Sequence, residues 1–318
     1  MPGSLKKEKN MKGTVLVTGA SGMIGSAMVD SLRNQGYKVI AFDLNKGNST
    51  ASYFFQGSVL EKRSIAEAIK GCDYVFHLAA VLGVANSNEQ ALLSLDVNTL
   101  GVRNVLEACV NEGVKKVVFS SSSEVYGEPE KMPISETDQL APKSEYGKAK
   151  ALAEEYVKAF NKQYGLDYSI VRFFNVYGPN QVAKFVMPLF VDGAIAKRAL
   201  TINGDGSQIR AFCYVDNAVA GAQLAMFKDE GDGQIFNIGN SGPISMKDLA
   251  NLVNEIAGNP VEPKFIPFEE SDRSKEREIF ARIPDISKAE KVLGYVPKVS
   301  LREGIQRVIE FRKSAVKV

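Results

Sequence analysis

Residues Thr14 to Gly25, TVLVTGASGMIG, leave the chain little choice about how its fold begins. Val15, Leu16 and Val17 form an unbroken β-rich apolar run, the pattern of a strand covered on both faces. Gly19, Gly22 and Gly25 follow at three-residue spacing, and Met23 to Leu32 then reads as an amphipathic helix. Glycine there permits the tight turn, lets backbone approach a pyrophosphate, and packs helix close to strand. The unpaired N–H groups of the first helical turn, and its positive dipole end, would face that anion. A glycine triplet alone is weak; its place between strand and helix gives it meaning. A second strand, Lys38 to Phe42, ends in Asp43, eighteen residues past the last glycine. An acid there accepts both ribose hydroxyls and repels a 2′-phosphate, which favours NAD over NADP. The plainer alternative is an Asp that caps the turn after a parallel strand.

The rest of the chain alternates strand and helix with short connections, which predicts a parallel, doubly wound sheet. Tyr53–Gln56, Tyr74–Leu78, Lys115–Ser120 and Tyr168–Arg172 read as further strands. Glu61–Lys70, Glu89–Glu112 and Ser144–Tyr164 read as helices, the second with an apolar face of Leu92, Leu95, Val102, Val105, Leu106 and Ala108. Leu78 runs into Ala79 and Ala80, small residues against which a nicotinamide cofactor could lie. Residues 128–143 read as a loop rich in proline and charge. Beyond Asn175 the alternation becomes irregular, glycines and prolines multiply, and Leu301–Lys313 is the final helix. The expected division is a disordered leader over 1–11, a dinucleotide-binding domain over 12–175 and a smaller lobe over 176–318, with some chain crossing between the two.

Bulk chemistry removes several function classes. A net charge of +2 over 318 residues gives no support for nucleic-acid or membrane-surface binding. No apolar run is long enough to span a bilayer, and no signal-like segment opens the chain, so a cytoplasmic location is expected. Cys72, Cys109 and Cys213 are odd in number and lack ligand spacing, so they read as reduced thiols. With His77 as the single histidine, a His-based metal site or a Ser-His-Asp triad is not expected.

Tyr146 and Lys150 are four residues apart near the start of a helix and share one face. A tyrosine with an ordinary pKa of about 10 is a poor base at neutral pH. A nearby ammonium, together with a positive nicotinamide, would favour the phenolate, which could then take a proton from a sugar or alcohol hydroxyl. Ser122, at the carboxyl end of a parallel strand, could hydrogen-bond the same hydroxyl. Ligands of such sheets bind in that crevice.

At this point the chain resembles the extended short-chain dehydrogenase/reductases, in the NAD-dependent nucleotide-sugar epimerase/dehydratase family that includes UDP-glucose 4-epimerase. The resemblance runs from Lys12 to Lys313 through TGASGMIG at Thr18, HLAA at His77, SSSEVYG at Ser121, YGKAK at Tyr146 and RFFNVYGP at Arg172. NGDGSQIRAFCYVDNA at Asn203 and PDISKAEKVLGYVP at Pro284 complete it. It implies a Rossmann-type α/β fold with a C-terminal substrate-binding lobe. It also implies a homodimer built on helices 89–112 and 144–164, and Ser122, Tyr146 and Lys150 as the catalytic trio. NAD would be held by Gly19, Gly22, Met23, Ile24, Gly25 and Asp43, and further by Ser58, Val59, Leu78, Ala79, Ala80, Ser120 and Phe173. A UDP-linked sugar would meet Val84, Ser87, Asn175, Val186, Thr201, Asn203 and Arg210, with Arg277 a weaker match.

The departures carry information. Ser58 stands where many relatives have an Asp near the adenine, and Phe173 lacks a hydroxyl found in some epimerases. Ser123 replaces the Asp of the dTDP-glucose 4,6-dehydratases, which argues against that reaction. Glu124 resembles the residue that GDP-mannose-type dehydratases and UDP-glucuronate decarboxylases use on the C5 side of the sugar. Arg282 sits where those decarboxylases carry a working arginine. Alternatively, Glu124 simply anchors the turn before Val125 and Tyr126. The expected function is a 4-epimerase acting through a 4-keto sugar, with decarboxylation or dehydration as the alternative. A non-catalytic NAD-binding regulator would have no need of all three members of the trio.

Overall fold

The computed structural model describes residues 12–47, 49–82, 91–270 and 279–315. The first half contains β1 (Thr14–Thr18), α1 (Met23–Asn34), β2 (Lys38–Asp43), β3 (Tyr53–Gln56), α2 (Lys62–Ile69) and β4 (Tyr74–His77). α3 (Ala91–Asp96), α4 (Val102–Glu112), β5 (Lys116–Ser122), α5 (Glu145–Tyr164) and β6 (Asp167–Phe173) follow. These six strands lie parallel in one sheet. Alternate residues of β1 enter different cores. Val15 and Val17 pack with Met28, Val29 and Leu32 of α1, whereas Leu16 packs with Ile65 and Ile69 of α2 and Val105 and Leu106 of α4. Helices cover both faces, so Val15 to Val17 have no solvent-facing position and the run is apolar without interruption.

The later chain contributes β7 (Val176–Tyr177), α6 (Val186–Ile195), β8 (Thr201–Asn203), β9 (Ile209–Ala211), β10 (Cys213–Tyr214) and α7 (Val215–Phe227). Then come β11 (Gln234–Ile238), β12 (Pro243–Ser245), α8 (Met246–Ala257), β13 (Lys264–Ile266), β14 (Ala281–Arg282) and α9 (Leu301–Ala315). β11 pairs with β6, giving the seven-stranded order β11-β6-β5-β4-β1-β2-β3. α7 lies against α1, where Gln35 donates to Gln223 at 2.8 Å. The strand order reverses direction between β1 and β4, and that switch point opens a crevice at the carboxyl ends of the strands. Outside the central sheet, β8 pairs with β13, and β9 lies between β12 and β14.

The helix expected over 89–112 differs from expectation. Its start at Glu89 lies outside the described residues, and α3 and α4 are joined by a π-helical turn at Val97–Gly101. That turn shifts the buried stripe. Leu92, expected inside, is 75% exposed, and the buried positions go to Ser94 and Asn98. Both side chains donate to the Val81 carbonyl, at 2.9 and 2.8 Å. Gly101 allows the turn to approach the sheet edge, since a Cβ there would stand 2.6 Å from a Val59 methyl.

Candidate active site

The glycine turn is closed to side chains by its neighbours. Gly19 has φ +67°, and a Cβ on it would stand 2.7 Å from the Ala79 nitrogen. On Gly25 a Cβ would stand 2.0 Å from the Gly19 carbonyl oxygen. Both obstacles are backbone, which cannot swing aside. Gly22 donates to the Gly19 carbonyl at 3.1 Å and opens α1, with Met23 and Ile24 in its first turn. No side chain among the described residues caps that turn and no acid lies in it. Its amides are therefore left for an anion.

Asp43 ends β2 beside this turn. Its carboxylate accepts the Ser21 N–H at 2.9 Å and the Leu44 N–H at 2.7 Å. A carboxylate has about four acceptor positions, so two remain for a pair of ribose hydroxyls. Ser58 and Val59 follow β3, Leu78, Ala79 and Ala80 follow β4, and Ser120 and Phe173 lie in β5 and β6 toward the same end of the sheet. The Ser58 hydroxyl accepts the Leu60 N–H at 3.2 Å, a local turn contact. A side-chain-free turn, a bare helix N-terminus and a restrained carboxylate fit a dinucleotide. We expect NADP to bind at least about tenfold more weakly than NAD, because its 2′-phosphate would meet the Asp43 charge. Fluorescence titration of both nucleotides checks this, and equal affinity would remove Asp43 from the role.

The chemistry-bearing side chains gather at the end of β5. Ser122 and Glu124 are partly exposed toward the crevice, while Ser121, Ser123, Val125 and Tyr126 are buried. The Glu124 N–H bonds the Ser122 hydroxyl at 3.2 Å, and the Glu124 carbonyl accepts from Gly127 at 3.3 Å. Backbone groups thus anchor this turn, and the carboxylate is bound elsewhere, accepting from the Ser144 hydroxyl at 2.6 Å. Ser144 caps α5 by accepting the Gly147 N–H at 3.0 Å. That start puts Tyr146 and Lys150 on one buried face of the helix.

Their protonation differs from the simple pairing expected of them. Burial and then the Glu124 charge push the Tyr146 phenol above its usual range, opposed by a hydrogen bond with Ser122. Lys150 is itself pushed down to about 7 by burial, with Glu154 opposing. The Lys150 ammonium donates to the Ser120 carbonyl at 2.8 Å and stands 5.8 Å from the Tyr146 ring centre. His77 is buried at the end of β4, where its Nδ1 is 2.7 Å from the Thr18 hydroxyl. Burial, then the Lys150 charge, push it down to about 3, so it stays neutral and no general base of ordinary strength is available from it.

Beneath the trio lies a buried ion pair. Arg172 of β6 holds Glu154 of α5 through Nε at 2.9 Å and Nη2 at 2.7 Å, and reaches the Tyr126 hydroxyl through Nη1 at 2.8 Å. Ser121 donates to Glu154, and Tyr126 to Asn237 at 2.7 Å.

Facing this end of the sheet, Arg210 of β9 and Arg282 of β14 are register neighbours. Arg210 Nη1 donates to the Ile209 and Phe280 carbonyls at 2.9 and 3.1 Å. Arg282 Nη1 lies 3.5 Å from the Ser123 hydroxyl, beside Glu124. Asn175 follows β6 with φ +39°, a conformation Asn tolerates better than most residues, and donates to the Ala211 carbonyl at 3.2 Å. Val186 starts α6, half-buried, and Thr201 and Asn203 bound β8, the first exposed. Val84, Ser87 and Arg277 lie outside the described residues. Ser144 carries a local signal, since a serine three residues before a helical N–H is a cap pattern. Glu154 and Arg172 carry none, because no spacing rule reveals their pairing. Among the described residues no cluster of three or more His, Cys, Asp or Glu converges as a metal site, and no helix is long and apolar enough to cross a membrane.

Comparison with known proteins places the chain in a family. The model of the NAD dependent epimerase/dehydratase family matches residues 15–239. A putative UDP-glucose 4-epimerase of Methanocaldococcus jannaschii is 36% identical, over 94% of this chain and 98% of its own. A UDP-N-acetyl-alpha-D-glucosaminuronate decarboxylase of Bacillus cytotoxicus is 34% identical, over 95% and 98%. The crystal structure of a Thermotoga maritima UDP-glucose 4-epimerase with UDP-glucose superposes with a TM-score of 0.88 at 36% identity, covering 95% of this chain and 99% of that one.

Proposed function

Because the chain belongs to the NAD-dependent epimerase/dehydratase family, we propose that it inverts C4 of a UDP-linked hexose by oxidising the C4 hydroxyl to a ketone and reducing that ketone from the other face. The observation that carries this reading is Tyr146 on the buried face of α5, beside Ser122 and Glu124 at the end of β5, with Lys150 one turn further along the helix. When bound, NAD supplies the reversible hydride acceptor, and its positive ring favours the phenolate. Tyr146 takes the C4 hydroxyl proton at its phenolic oxygen and returns it after the keto sugar has turned over. Ser122 orients the same oxygen. Lys150, anchored on the Ser120 carbonyl, adds a positive charge beside the ring. Arg210 and Asn175 hold the diphosphate, and Thr201, Asn203 and Val186 line the nucleotide.

A second reading, decarboxylation of a UDP-linked uronate, draws on Glu124 in the crevice and Arg282 beside Ser123. Their carboxylate and cation would flank C5 and its carboxyl group. The C4 ketone formed by Tyr146 is β to that carboxyl group. The C5–C6 bond can then break with loss of carbon dioxide, its electron pair passing to the ketone oxygen before C5 is protonated. The relative from Bacillus cytotoxicus supports this reading. Incubation with UDP-glucose, UDP-galactose, their N-acetylated forms and the corresponding uronates distinguishes the two by product mass. Unchanged mass with an inverted C4 supports the epimerase, and loss of carbon dioxide from the uronate supports the decarboxylase. No turnover of any sugar counts against both.

The helices that frame the site also carry an apolar face. Leu92 and Leu93 on α3, Leu100 in the π-helical turn and Leu152 on α5 are 75, 45, 49 and 52% exposed. We expect this face to pair with its copy across a two-fold axis. Light scattering at micromolar concentration should give twice the chain mass, and a monomer would count against the pairing.

A further inference from the structure

The Ser144 hydroxyl is used twice. Its oxygen accepts the Gly147 N–H at 3.0 Å, and its proton goes to Glu124 Oε2 at 2.6 Å. Capping alone needs only the acceptor. The turn carrying Glu124 is also pressed onto α5, since a Cβ on Gly147 would stand 2.7 Å from the Glu124 carbonyl oxygen. One serine therefore joins the helix that carries Tyr146 to the carboxylate that faces it.

We propose that Ser144 is a positioning residue that ties the Glu124 carboxylate to the N-terminus of α5 and so sets how much negative charge the Tyr146 hydroxyl faces. The inference rests on the reading of Tyr146 as the base. The groups around Tyr146 come from several elements. Ser122 and Glu124 lie at the end of β5, Lys150 on α5, and neutral His77 on β4 beyond Lys150. Glu154, paired with Arg172 of β6, lies a turn further along, and Arg282 of β14 approaches from Ser123. Of these, Glu124 is the charge that opposes phenolate formation, and Ser144 is the side chain that holds it.

The test follows the phenolate directly. In the NAD-loaded protein, the absorbance titration of each variant minus that of the same variant carrying Tyr146→Phe isolates the Tyr146 step. Ser144→Gly removes the hydroxyl while leaving a residue that is well accepted before a helix. Freed from its tether, the carboxylate withdraws, and the Tyr146 midpoint should fall by about half a pH unit or more. Ser144→Thr keeps both bonds and should leave the midpoint in place. In a Glu124→Gln background Ser144→Gly should add no further shift. An equal shift in both backgrounds would mean that Ser144 acts only through the helix end, and an unmoved midpoint would remove its role altogether; either overturns the proposal. The reading of Tyr146 as the base is tested separately by the turnover of Tyr146→Phe, and near-full activity there would remove it.

Discussion

Tyr146→Phe should leave a folded protein that binds NAD and has lost turnover by several orders of magnitude. The substitution keeps the ring, which is buried on the inner face of α5, and deletes only the hydroxyl. General acid–base catalysis contributes about 10²–10⁴, and in the proposed reaction the same hydroxyl would also orient the sugar beside Ser122. Two measurements check it together: a denaturation curve within error of wild type, and product formation from whichever UDP-sugar the wild type converts. Near-full activity would mean that C4 oxidation does not pass through this tyrosine. Glu124, already in the crevice, would then be the next candidate for the base.

The largest effect on stability should come from Arg172→Met. Arg172 and Glu154 have side chains 3% and 0% exposed. Removing the guanidinium leaves a carboxylate deep in the protein with the Ser121 hydroxyl as its remaining hydrogen-bond donor among the described residues and the Lys150 charge nearby. Breaking such a pair from one side typically costs about 3–5 kcal/mol, a large part of the roughly 5–15 kcal/mol that holds a domain folded. Replacing both partners, as Arg172→Met with Glu154→Met, removes the stranded charge and should recover much of the loss. Urea midpoints of the three proteins measure this. A single variant losing less than about 1 kcal/mol would show that water or rearrangement reaches the pair. Catalysis should suffer too, since Ser121 and Tyr126 bracket the turn that carries Ser122 and Glu124 and both bond into this pair's network.

Much of this was written where the chain is locally regular. The run from Val15 to Val17, the three glycines and Asp43 mark a buried strand, a tight turn and the acid beyond it, because each obeys a short-range rule. The four-residue step from Tyr146 to Lys150 is also local. What stayed hidden depends on distance in sequence. Glu154 and Arg172 are 18 residues apart, and Ser144 and Glu124 are 20 apart. Neither spacing has a periodic meaning. The protonation of the trio was hidden for a related reason. The sequence shows a lysine near a tyrosine but not that burial raises one pKa and lowers the other, nor that the ammonium turns to the Ser120 carbonyl. Leu92 was misplaced because a period of 3.6 residues cannot anticipate a π-helical turn that rotates everything before it.

The return of β11 to the edge of the sheet bears on how this protein comes into being on the ribosome. β6 is complete at Phe173, and the strand that pairs with it begins only at Gln234. About sixty residues must emerge before the sheet's outer edge is covered, and parallel pairing over such a separation is slow to form. Until then the backbone donors and acceptors along Ser169 to Phe173 are a template for any other strand that meets them. α7, which also covers the face of α1, arrives in the same interval. A nascent or truncated chain ending near Asn175 would therefore present an unpaired edge and an uncovered apolar helix face at once. Its hazard is sticking to its own kind, and the second half of the sequence removes that hazard as it supplies the strand and helix that cover both.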